Sequence, residues 1–323
     1  MHRRHLLFAA AASAGLPAAR PAMAQWAPER PIRLIVGFAA GGSTDVTARQ
    51  VGQAMAERLG QPVVVENRPG AGGNIAAEAA ARSAPDGHTM FLATSGTLMA
   101  NRFLYRSLPF DPDRDFLPIS LVSIVPNLIV VHPDVPARSL AELIAHARAN
   151  PGRVHYGSGG PGTTLHLAAA MLSARAGIEL VHVPYRGGAP AATDLVSGKI
   201  QMIASPTMEV LAQVRAGALR PIAVTTLQRS PLLPEIPAVA ETLPGFEVVL
   251  WNGLLAPAGT PAAAIARLSA EAQAALRSEA LRTRIIEQGS VPMPMTPEEF
   301  AAFLRAEAPK FENIVRVSGA RLD

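Results

Sequence analysis

Short apolar runs alternate with helical stretches through the first hundred residues. Ile32 to Phe38 is followed, after Gly41-Gly42, by a helical stretch; Val63 to Glu66 precedes another from about Asn74; His88 to Ala93 makes a third run. This alternation predicts a parallel α/β sheet. In the first helix Val51, Met55 and Leu59 fall at i, i+4 and i+8 on one stripe, with Glu57 and Arg58 facing away. Leu117 to His132 holds two extended apolar runs broken by Pro126, long enough to carry the chain from one sheet to another.

A second α/β set follows. Its predicted helices run from Ser139 to about Ala149, from Gly162 onward, from Ala189 to Ser197 and up to Ala216; its strands are Arg153 to Tyr156, Glu179 to Pro184, Ile200 to Ala204 and Arg220 to Thr225. After a Pro-rich connection the chain runs extended from Val248 to Leu255 and ends in helices from about Pro261, Glu279 and Pro297. Those last helices have no sheet of their own, so the economical expectation is that they pack back on the first lobe. The predicted fold is therefore α/β and two-lobed, each lobe a mainly parallel sheet flanked by helices. Residues 25–126 and 250–323 form a discontinuous lobe 1 and residues 127–249 form lobe 2. An interrupted lobe creates hinge strands and a cleft that can engulf a ligand.

The N-terminus reads differently. Residues 1–24 begin basic, run apolar from Leu6 to about Leu16 and end in small residues, with Ala22 and Ala24 at an A-x-A-like cleavage position. That is the pattern of a signal peptide, which predicts export. Arg3-Arg4 leaves both the general and the twin-arginine route open. Removing the leader's three arginines leaves 26 basic against 25 acidic residues, so the sequence pI near 10 describes the precursor more than the mature chain. No Lys/Arg cluster with interleaved aromatics offers a nucleic-acid surface. The absence of cysteine excludes disulfides, thiolate metal sites and Cys catalysis. A monomer is expected.

Two loops carry the candidate chemistry. Phe38, Ala39, Ala40, Gly41, Gly42, Ser43, Thr44 and Asp45 lie between a strand and a helix. The glycines allow close backbone approach, Ser43 or Thr44 can cap the helix, and the free N–H groups at the positive dipole end suit an anion. An ordinary glycine-rich turn before a capped helix has the same appearance. Asp45 suits the first helical turn and could equally hydrogen-bond the loop. The matching loop of the second lobe runs from Tyr156 through Ser158, Gly159, Gly162 and Thr163 to Thr164. If the two lobes face each other, both helix N-termini point into one cleft and could hold a dicarboxylate at its two ends without a buried cation.

Other chemistries are weaker. Gly157, Gly159 and Gly162 satisfy G-x-G-x-x-G, but Tyr185-Arg186 stands where a ribose-binding acid belongs, leaving only an NADP-type enzyme, which export disfavours. His88, His132, His155, His166 and His182 lack metal-ligand spacing and suit structural positions; no metal or other cofactor is expected. Ser158 lacks the G-x-S-x-G frame. Asp111, Asp113 and Asp115 lack the rest of a calcium loop and read as a solvated turn.

Many collinear segments resemble a known family. They include Pro31-Ile32-Arg33-Leu34-Ile35-Val36, Gly41-Gly42-Ser43-Thr44-Asp45, Val63-Val64-Val65-Glu66-Asn67-Arg68-Pro69-Gly70, Pro85-Asp86-Gly87-His88-Thr89, Val183-Pro184-Tyr185-Arg186-Gly187-Gly188, Leu233-Pro234-Glu235-Ile236-Pro237 and Ala256-Pro257-Ala258-Gly259-Thr260-Pro261. The chain is similar to the Bug receptors, the periplasmic binding components of tripartite tricarboxylate transporters. The resemblance implies the type II periplasmic-binding fold, Venus-flytrap closure, carboxylate ligands and integral-membrane transporter subunits as partners. A ligand-presenting role for a membrane sensor kinase is the alternative on the same fold. Carried over by position, the loops Phe38 to Asp45 and Ser158 to Thr163 would grip the ligand, with Thr94, Ser95 and Asp194 as further cleft positions. Asn101-Arg102 stands where the family often has Asn-Pro.

Overall fold

The computed structural model describes residues 26–320, so the predicted signal peptide lies outside the described residues. The chain runs β1 (Ile32–Val36), α1 (Ser43–Leu59), β2 (Val63–Asn67), α2 (Asn74–Ala81), β3 (Thr89–Thr94), a π-helical turn (Gly96–Ala100) leading into α3 (Asn101–Leu104), and the long β4 (Phe116–Val131). It continues through α4 (Leu140–Ala149), β5 (Val154–Ser158), α5 (Thr164–Ala176), β6 (Leu180–Pro184), α6 (Gly188–Val196), β7 (Met202–Pro206), α7 (Thr207–Arg215) and β8 (Arg220–Val224). Strand β9 (Val249–Pro257), helices α8 (Ala262–Arg277) and α9 (Glu279–Glu287), the short β10 (Val291–Pro292) and α10 (Pro297–Ser318) complete it.

Two sheets share one strand. In the first, β2, β1 and β3 are parallel, β9 pairs antiparallel with β3, and residues 116–126 of β4 pair antiparallel with β9. Pro126 falls within β4 opposite Val249, so the apolar segment that the sequence divides at this proline is one continuous strand. From Asn127 onward β4 leaves β9 and pairs antiparallel with β7 and β8, while β5 lies parallel between β6 and β7. A buried polar knot marks the crossing: Asn127 Nδ2 donates to the Val248 carbonyl at 3.0 Å, and Thr225 N–H donates to the Asn127 carbonyl at 2.9 Å.

The helices pack where their apolar stripes dictate. Val51, Met55 and Leu59 of α1 are buried in one cluster with Leu268, Ala272 and Leu276 of α8 and Leu281 and Ile285 of α9. Thus α8 and α9 pack on the first sheet. Helix α10 differs: Phe300, Phe311, Ile314 and Val315 share a cluster with Leu167, Met171 and Leu172 of α5, so this helix packs on the second set of elements too. Its 22 residues span about 33 Å, enough to straddle the crossing strands. A capping box of Thr296 and Glu299 starts it, with Pro297 in the first turn. Among the described residues no helix is long and apolar enough to cross a membrane.

Candidate ligand-binding site

Both glycine loops sit at the C-terminal end of a parallel strand, where the strand-loop-helix geometry presents free backbone N–H groups. The first leads from β1 into α1 and the second from β5 into α5. They converge. Phe38, Gly42, Ser43, Thr44 and Thr94 on one side, and Gly159, Thr163, Thr164, Leu165, Gly188, Pro206 and Glu209 on the other, line one cavity of about 30 Å³, with Leu250 also in its wall. That volume is on the order of one or two water molecules. The two sides touch across it, Ser43 N–H meeting Glu209 and Gly96 lying against the Gly162 carbonyl.

Charged and amide side chains hold the first loop. Asp45 is 2 % exposed, and its carboxylate accepts from Gly41 N–H at 3.0 Å, from Arg49 Nε at 3.0 Å and from Asn67 Nδ2 at 2.9 Å. Burial opposes the charge, yet Arg49 and the two N–H donors prevail and hold the carboxyl below its usual range. Asn67 also donates to the Phe38 carbonyl. Asp45 therefore stands in the first turn of α1 and braces the loop as well.

The expected Ser43 or Thr44 cap is not formed. Gly42 is the N-cap and supplies no side chain, since Ser43 and Thr44 already lie within the helix. A carboxylate from the opposite lobe caps α1 instead: Glu209 Oε1, in the first turn of α7, accepts from Ser43 N–H at 2.7 Å, and its Oε2 accepts from Ser205 Oγ at 2.9 Å. Burial of this carboxyl raises its pKa, against the opposing influence of the Ser43 and Ser205 donors. Sequence reasoning missed Glu209 because it lies 166 positions from Ser43. The available signal was an acid in the first turn of a helix that follows a strand of the second sheet.

Uncharged groups hold the second loop. Ser158 is fully buried; its Oγ accepts from Gly160 N–H at 3.1 Å and lies 2.6 Å from His182 Nε2. His166 Nδ1 accepts from Gly162 N–H at 3.3 Å, and Thr163 caps α5 by accepting from His166 N–H. The two imidazoles stack at 4.3 Å, with Tyr156 stacked 5.0 Å from His182. Burial pushes both histidines down to about 4, the neighbouring His182 adding to the effect on His166. Neutral rings keep their acceptor nitrogens free for the loop. Gly162 has φ +82°, and a Cβ there would strike Asn101 Oδ1 of the first set. The third glycine of the nucleotide-like pattern thus provides close approach between lobes.

The remaining predicted positions separate. Thr94 lines the cavity, its Oγ1 3.0 Å from Thr97 Oγ1. Ser95 is fully buried and bridges the β9 backbone, donating to the Val249 carbonyl and accepting from Trp251 N–H. Asp194 does not line the cavity; it accepts from Tyr185 Oη at 2.9 Å and from Lys199 Nζ at 2.9 Å. Asp111 accepts from Asp113 and Arg114 N–H within an exposed turn.

Comparison with known proteins agrees with this architecture. Residues 47–319 match the model of the tripartite tricarboxylate transporter family receptor, TctC. The UPF0065 protein in the tcbD-tcbE intergenic region of Pseudomonas sp. (strain P51) is 40% identical over 290 residues, covering 89% of this chain and 86% of that protein. Protein BugT of Bordetella pertussis is 37% identical over 313 residues, covering 96% and 95%. Among solved structures, Rhodopseudomonas palustris Rpa4515 with adipate superposes with a TM-score of 0.88 at 35% identity, covering 91% of this chain and 99% of that one. Periplasmic binding protein BugD gives 0.87 at 34% identity, covering 91% and 99%. MatC from R. palustris with bound malate gives 0.85 at 32% identity, covering 89% and 99%. The neighbours are solute-binding receptors, and this chain belongs to their family, the Bug-type receptors of tripartite tricarboxylate transporters.

Proposed function

We propose that this protein captures a small organic acid in the cleft between its lobes and presents it to the integral-membrane subunits of a tripartite tricarboxylate-type transporter. The observation that carries this is the convergence of two helix N-termini on one cavity, at which a carboxylate, that of Glu209, already accepts from Ser43 N–H at 2.7 Å. The carboxylates found with two structural neighbours, adipate and malate, support the same ligand class. On this account the ligand is held by Phe38, Gly42, Ser43 and Thr44 from one lobe, by Gly159 and Thr163 from the other, and by Thr94 between them. Gly41, Asp45, Ser95, Ser158 and Gly162, whose polar groups are engaged within the protein, act beneath as supports. The lobes divide at residues 126 and 249, and the protein works as an exported monomer in the periplasm after loss of residues 1–24.

The energetics suffice without a buried cation. A charge-assisted hydrogen bond contributes about 1.5–3 kcal/mol, and a helix N-terminus adds roughly 0.3–1 kcal/mol or more when partly buried. About four to six such contacts, less the cost of association, reach the roughly 8 kcal/mol of a micromolar complex.

A thermal-shift panel of C4 to C9 mono-, di- and tricarboxylates, amino acids and aromatic acids tests the proposal. Ligand binding to the native state stabilises it by mass action, about 2.7 kcal/mol at a hundredfold excess over Kd. One class of organic acid should raise Tm by several degrees. A flat response to every acid would overturn the proposal.

A further inference from the structure

Glu209 occupies the place that the proposed function reserves for the ligand's carboxylate. Three features make this a built contact. Its two carboxylate oxygens are each engaged, one by Ser43 N–H across the cleft and one by Ser205 Oγ on its own side. Gly188 leaves the space the carboxylate needs, because a Cβ at that position would collide with it. The cavity that remains beside it, about 30 Å³, is too small for an organic acid. Glu209 bound to Ser43 and an acid bound to Ser43 are therefore mutually exclusive.

We propose that Glu209 is a tethered competitor for the ligand's carboxylate, closing the lobes on the protein's own side chain so that only an acid able to displace it is admitted. This rests on the organic-acid reading of the cleft and adds to it a residue that sets specificity. Closure by Glu209 withdraws part of the population from binding, and apparent affinity falls in proportion to the competent fraction. A weakly binding acid fails to reopen the cleft. An acid that meets the backbone donors at both loops regains more than the single Ser43 bond it breaks.

Two measurements on the chain from Gln25 test this, using Glu209→Gln and Glu209→Ala. Alanine is the best helix former, so the first turn of α7 tolerates it. Small-angle scattering of the ligand-free protein should show a compact wild type and a larger radius of gyration for Glu209→Ala. Calorimetric titration with adipate and with malate should show tighter binding of whichever acid is bound, by about tenfold for Glu209→Ala, equivalent to about 1.4 kcal/mol, and by less for Glu209→Gln, whose amide oxygen remains an acceptor. Equal radii, or unchanged or weaker binding in both variants, would overturn the proposal and show that Glu209 is either inert or holds the ligand. If the radii differ as expected while no acid binds any of the three proteins, the latch stands and the organic-acid reading fails.

Discussion

The two loops of the cleft have the same outline and opposite support. Each follows a parallel strand, turns on glycines and opens a helix, yet the first is braced by an ionised carboxylate, Asp45, with Arg49 and Asn67, whereas the second rests on a neutral stack of Tyr156, His166 and His182. The first network keeps its charge by pairing. The second keeps its hydrogen bonds only while its rings are uncharged, because a protonated His166 would turn Nδ1 into a donor facing the Gly162 N–H. One strand-loop-helix outline can thus be stabilised by two unrelated chemistries, and the difference should be visible in how each loop fails.

The largest effect should come from breaking the meeting of the loops themselves. A Cβ on Gly96 would approach the Gly162 carbonyl to 2.5 Å in the closed form. The clash is between lobes, so Gly96→Val should open the ligand-free protein as well, leaving the core of each lobe folded and lowering Tm by no more than closure contributes, while weakening acid binding by about tenfold to a hundredfold, the range expected of overpacking by 1–3 kcal/mol. Wild-type affinity in calorimetry would show that the lobes close elsewhere.

Acid separates the two supports next. His166 and His182 have folded pKa values depressed to about 4 from an ordinary 6.5, so the stability conferred by neutral rings is complete above pH 6.5 and is lost as pH falls toward 4. Asp45 is depressed below 3.8, so its contribution persists through that window and is lost only as pH falls further. Thermal melts between pH 7 and 3.5 should show Tm decline beginning near pH 6, with the decline reduced in His182→Gln. A first loss of stability below pH 3.8, with none above it, would contradict the assignment of neutral rings.

The smallest effect belongs to Asp194. Its carboxylate is committed to Tyr185 and Lys199 outside the cavity, and exposed pairs of this kind contribute little. Asp194→Ala should leave acid affinity within twofold of wild type; a larger loss would return this residue to the site.

Much of this was legible in order along the chain because it is local. The strand and helix alternation follows from apolar periodicity, the α10 start from Pro297, and both glycine loops from their position between strand and helix. The trans cap of α1 was not legible, since Glu209 and Ser43 meet only through the folding of both sheets. The support of Ser158 by His182, 24 residues away, depends on β5 and β6 pairing in a register that brings strand ends together. Nor does periodicity reveal that α10 lies on α5, because an amphipathic face specifies burial without naming its partner. Asp194 was placed by resemblance alone, and its side chain turns to Lys199.

The central claim is that one acid engages the N-termini of α1 and α5 together. The most direct measurement is titration of the isotope-labelled chain from Gln25 with adipate or malate while following the backbone amides of Ser43, Thr44, Thr164 and Leu165. The account predicts that all four shift along one binding curve with a shared Kd. Movement of the α1 amides without those of α5, or saturable binding that moves neither pair, would contradict it.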